Sequence, residues 1–147
     1  MTDVDPTLLD LALLDPELGE LEGDVLLAAV RARIAETLLG LAGAPFESAL
    51  QALPAPMRVV HALDAFRDVL ATTPRDAAID RRYVTEALES LMKIGLHLPA
   101  LALADACGTH RAVPRTAIDA STAVATSMPT WNAALAAYLE ARRGFHH

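Results

Sequence analysis

His61, Asp64 and Asp68 fall at i, i+3 and i+7, a spacing that turns all three side chains to one side of a helix. An imidazole beside two carboxylates offers the donors of a small metal site or of a proton-transfer pair. Arg58 and Arg67 interleave with them, and the same run then reads as a solvated helix face laced with i,i+3 and i,i+4 charge pairs. The solvated face is the preferred reading, with the metal set as the alternative. No Glu-x-x-His motif accompanies it, so the di-iron bundle signature is missing. Cys107 and His110 form a Cys-x-x-His pair, but the chain has one Cys, which cannot complete a structural zinc site. Cys107 is therefore expected as a small apolar side chain on the inner face of a helix that stops at Gly108. His97 falls in a turn, and His146 and His147 are assigned no role.

The sequence contains no Gly-x-Ser-x-Gly, no Gly-x-Gly-x-x-Gly and no phosphate loop. Only Phe46, Phe66, Tyr83, Trp131, Tyr138 and Phe145 could stack on a flat cofactor. The residue types thus favour a non-catalytic protein, with no cofactor expected.

The elements that would position these residues are helical. Of 147 residues, 30 are Ala and 24 Leu, both strong helix formers, while aromatics make up 4%. A hydrophobic content of 53% against 21% charged residues excludes intrinsic disorder as the default. Gly43, Gly95, Gly108 and Gly144 are placed as helix stops, and Pro45, Pro56, Pro99 and Pro129 as first-turn residues. Between them, helical stripes recur: Leu26, Leu27, Val30, Ile34, Leu38 and Leu41; Val59, Val60, Leu63, Phe66 and Leu70; Ile79, Tyr83, Val84, Ala87, Leu88, Leu91 and Ile94. Ala117 to Thr126 carries Asp119 as its only charge, which predicts a buried helix of small side chains, with Ala120, Val124 and Ala133 at close helix contacts. No alternating pattern bounded by turns appears, so no sheet is predicted. The expected fold is all-α, about seven helices in antiparallel hairpins.

Charge divides the chain unevenly. Met1 to Asp24 holds eight acids and no Lys or Arg, leaving 11 acids and 12 bases for the remainder. Residues 1–22 are expected as an acidic leucine-rich segment, at most loosely held, and 23–147 as a single helical domain. Without a basic footprint no nucleic-acid binding is expected. No apolar run reaches the roughly 18 residues of a membrane span; the longest lie near Val25 to Val30 and Leu98 to Ala104. The single Cys and an N-terminal run without positive charge fit a reducing cytoplasm. In the acidic segment, Asp5 is an N-cap candidate and Pro6 a first-turn residue. The dense leucines from Leu8 to Leu18 make a short adhesive helix that must bury itself on its own domain or on a partner.

Val84 to Cys107 reads as helix, glycine turn, helix, and Ala117 to Tyr138, further along the chain, reads the same way. In the first unit Val84, Ala87, Leu88, Leu91, Gly95, Ala100, Ala104 and Cys107 fall on fixed packing positions. That pattern resembles the tetratricopeptide repeat over about a third of the chain. Leu88 stands where that repeat has a small residue, Pro99 where an acid is common, and the closing Pro is absent. In the second unit Ala117, Ala120, Ser121, Val124, Ala133 and Ala137 match, while Glu140 occupies a position that should be small. The resemblance implies a module that grips a peptide or helix of another protein in a groove. The expected function is accordingly an adaptor or chaperone-like interaction module, with Leu8, Leu11, Leu14, Tyr83, Leu91 and Trp131 as partner contacts. Two alternatives stand beside it: a small helical ligand- or metal-binding protein or enzyme built around His61, Asp64 and Asp68, and a homo-oligomeric structural protein.

Overall fold

The computed structural model describes residues 16–41 and 43–142. A 3₁₀ turn, Pro16–Glu20, leads into α1 (Gly23–Leu39), α2 (Phe46–Ala52), α3 (Ala55–Thr72), strand β1 (Ala78–Asp80), α4 (Arg81–Lys93), α5 (His97–Cys107), strand β2 (Ala112–Pro114), α6 (Arg115–Asp119), α7 (Thr122–Ser127), a second 3₁₀ turn (Met128–Thr130) and α8 (Trp131–Ala141). The fold is all-α, with eight α-helices among the described residues where the sequence suggested about seven. None of them is long and apolar enough to cross a membrane.

The chain divides into two compact units. One takes the described residues up to His61 and those from Asn132 onward; the other is Ala62–Trp131.

In the first unit, α1 buries Leu26, Leu27, Val30 and Ile34, the front of the stripe read from the sequence. Glu22 precedes α1 without capping it. The Gly23 N–H instead donates to the Glu140 carboxylate at 3.0 Å, and Arg31 donates to Asn132 Oδ1 at 3.0 Å. These two bonds set α1 and α8 antiparallel. The first also brings a negative charge to the positive end of the α1 dipole, so Glu140 makes a bond that a small residue could not supply. Leu18 is 2% exposed, so the described end of the acidic segment packs into this unit, while Met1 to Asp15 lie outside the described residues.

The second unit is organised by a feature the sequence did not predict. β1 and β2 pair antiparallel, Ala78 opposite Pro114, Ile79 opposite Val113 and Asp80 opposite Ala112, with Ile79 and Val113 both buried. The whole α4–α5 hairpin separates the two strands in the chain, and the bonds around them are reciprocal. The Arg81 N–H donates to Arg111 O and the Arg115 N–H to Ala77 O, each at 3.0 Å. The Arg81 guanidinium reaches the Gly108 and His110 carbonyls at 3.0 and 2.9 Å, and that of Arg115 reaches the Thr73 carbonyl. Each arginine, the first residue of its helix, thus satisfies carbonyls left open where the other half's preceding helix ends. Helix, loop, strand and helix therefore occur twice, joined at the Ile79–Val113 pair.

Asp80 caps α4 by accepting from the Arg82 N–H at 2.9 Å. Gly95, at φ +87°, makes the turn into α5, a conformation that an L side chain rarely adopts. α5 packs against α4 on one side and α7 on another. The predicted helix from Ala117 to Thr126 is broken, because the Ser121 hydroxyl accepts from the Val124 N–H and starts α7 anew. Val124 is buried as expected, but Ala120 sits exposed in the break, and Ala133 is exposed on α8.

Candidate protein-binding face

Among the sequence-derived contact residues, Trp131 and Leu91 are each 0% exposed. The Trp131 ring stands tilted 6.1 Å from that of Phe66, donates from Nε1 to Ser127 Oγ at 3.0 Å, and lies beneath the Arg67 guanidinium. Neither residue offers surface to a partner in this fold. An apolar residue on a helical stripe reads the same whether the stripe meets the core or a ligand, and here the two fully buried residues belong to the core. Tyr83 is half-buried on α4, and Leu8, Leu11 and Leu14 lie outside the described residues.

His61, Asp64 and Asp68 all sit on α3, yet they do not converge into a site. Asp64 accepts from Arg67 at 2.7 Å, Asp68 is exposed, and the His61 ring stands 6.0 Å from that of Phe46. Among the described residues no three of His, Cys, Asp or Glu are grouped to hold a metal ion. Helix–loop–helix units are also the frame of calcium-binding loops, which supply alternating oxygen ligands and a closing bidentate Glu. The loop from Thr73 to Asp80 contains only Asp76 and Asp80, and that from Gly108 to Pro114 contains no carboxylate. Asp80 is already engaged as the α4 cap.

Cys107 is buried as expected. Burial pushes its thiol above the ordinary range, opposed by the nearby Arg81 charge and by a Thr85 hydrogen bond. At neutral pH the sulfur is a protonated thiol, a poor nucleophile.

What the second unit does present is aliphatic surface on the α4–α5 hairpin. Leu98 is 76% exposed and Leu101 58%, one turn apart on the same outward face of α5. Met92 of α4, 43% exposed, brings its sulfur to 3.2 Å from Nδ1 of His97, the neighbour of Leu98. The inner face of α5 is already filled by Pro99, Ala100, Leu103 and Cys107. The face was missed in the sequence, although Leu98 to Ala104 had stood out as one of the longest apolar runs. Its signal was the composition of α5, His-Leu-Pro-Ala-Leu-Ala-Leu-Ala-Asp-Ala-Cys, which leaves almost no polar residues to cover an outward side.

The chain matches no known protein family, no curated protein and no solved structure.

Proposed function

We propose that this chain is a non-catalytic protein–protein interaction module, of the adaptor or chaperone kind, that receives an amphipathic helix or peptide of a partner protein on the outer face of the α4–α5 hairpin. The observation that carries this reading is the adjacency of Leu98 and Leu101 on one exposed helix face, with Met92 beside it. Single exposed apolar residues are ordinary on a protein surface, whereas neighbouring ones mark interaction sites. A partner helix would insert side chains at i, i+3 and i+4 between them. A reducing cytoplasm belongs to the same reading, since Cys107 is a lone thiol.

The test is capture of partners from the native host by the full chain and by a Leu98→Glu, Leu101→Gln variant. Leu98 occupies the first turn of α5, where the helix dipole favours a carboxylate, so the variant is expected to fold and melt like the parent. Captured protein should fall at least about ten-fold, a loss on the order of 1.4 kcal/mol. Undiminished capture by a folded variant would reject the face. Light scattering that showed an oligomer dissolved by the same substitutions would assign it instead to a second copy of this chain.

A further inference from the structure

The exposed face of the α4–α5 hairpin contains one atom that an oxidant attacks, the sulfur of Met92. Among the described residues, Met57 and Cys107 are buried, Met128 is half-buried, and Met92 is the exposed sulfur. Leu98 and Leu101, its neighbours on the face, are saturated hydrocarbon that a peroxide leaves untouched. His97 Nδ1 lies 3.2 Å from the Met92 sulfur. A thioether has no hydrogen to give, so the ring nitrogen is the donor in this contact. The sulfur is a weak acceptor for that bond, whereas a sulfoxide oxygen carries the negative end of the S–O dipole and is a strong one. An oxygen bonded to the sulfur would stand within reach of the same N–H, beside Leu98.

We propose that Met92 is a modification site through which a hydroperoxide controls the face: the side chain becomes the sulfoxide, His97 holds the added oxygen, and the partner is released. The sulfur lone pair attacks the terminal oxygen of the hydroperoxide, and an S–O bond forms as the O–O bond breaks. The proton of the attacked oxygen leaves with the other oxygen as water or an alcohol. Sulfur gives up an electron pair and the peroxide takes it up. The product is polar and chiral where the thioether was flexible and apolar. A partner side chain packed on Met92 would then have to bury the sulfoxide dipole away from water, which is unfavourable. This inference rests on the reading of the hairpin face as a docking surface, and names what regulates it.

The test treats the full chain with dilute hydrogen peroxide and locates the added oxygen by peptide mass spectrometry. Met92 should be oxidised at least about ten-fold faster than Met57, because a buried sulfur reacts only when its surroundings open. Capture of the partner from the native host should fall about five-fold in the oxidised chain. A Met92→Leu chain carried through the same treatment should keep its capture, since it retains apolar bulk without the sulfur. Equal oxidation of Met92 and Met57, or an oxidised chain that captures as well as the untreated one, would overturn the inference. So would an equal loss in the treated Met92→Leu chain, which would place the damage at another residue. The Leu98→Glu, Leu101→Gln variant separates this inference from the reading beneath it. Capture lost in that variant but kept after Met92 oxidation rejects the control alone; capture absent from the parent, or kept in both, rejects the docking face as well. Helical circular dichroism of each chain verifies that the compared proteins are folded.

Discussion

Replacing Trp131 with Ala is expected to destabilise the protein by about 3–5 kcal/mol, the range for emptying a large aromatic site in a core. For a chain of this length that lowers the melting temperature by roughly 10–16 °C. Trp131 is fully buried, and its removal deletes the ring contact with Phe66 and the bond from Nε1 to Ser127 Oγ, and leaves Arg67 without the ring beneath it. Thermal melts of the variant measure the effect. At a temperature where the variant is still folded, partner capture should match the parent, because no part of the indole faces outward. A variant that melts normally and loses capture would move Trp131 from the core to the binding surface.

The second large effect belongs to the strand pair. Ile79→Ala should cost about 2–5 kcal/mol, because the side chain is 1% exposed and packs at the centre of the second unit. Val113→Ala should be costly for the same reason, and the two losses should not add. As cross-strand partners these side chains share one contact region, so the double variant should be less damaged than the sum by at least about 0.5 kcal/mol. Urea melts of the parent, both single variants and the double variant supply the cycle. Additivity within about 0.3 kcal/mol would mean that the pairing does not organise this unit.

That pairing shows where sequence reading stops. Helices were legible because a period of 3.6 accumulates over many turns. The front of the α1 stripe is buried, as are Val84, Ala87 and Leu91 of α4, and Gly95 and Gly108 end their helices at positive φ. A strand as short as β1 shows barely one alternation, and Ile79 and Val113 are brought together across the α4–α5 hairpin by reciprocal arginine contacts that no local pattern announces. The break at Ala120 turned on one hydroxyl, that of Ser121, choosing a cap over continuing the helix. Glu140, a misfit for the repeat pattern, found its role at the far end of another helix, beside Gly23.

The candidate site was legible only as a surplus. The apolar excess was visible in the composition, but periodicity alone cannot separate stripes that meet the core from a face that does not. Bulk points the other way from intuition about binding anchors: the large ring of Trp131 went inside, and the outer face fell to the plain leucines of a helix nearly lacking polar residues.

The most direct measurement is photo-crosslinking in the native host, with a light-activated residue placed at Leu98 and, for reference, at Ala71, an exposed position on α3. If the outer face of the α4–α5 hairpin docks a partner, position 98 will give a discrete adduct with another protein and position 71 will not. Equal yields at the two positions, or an adduct at position 98 with the mass of two copies of this chain, would contradict it.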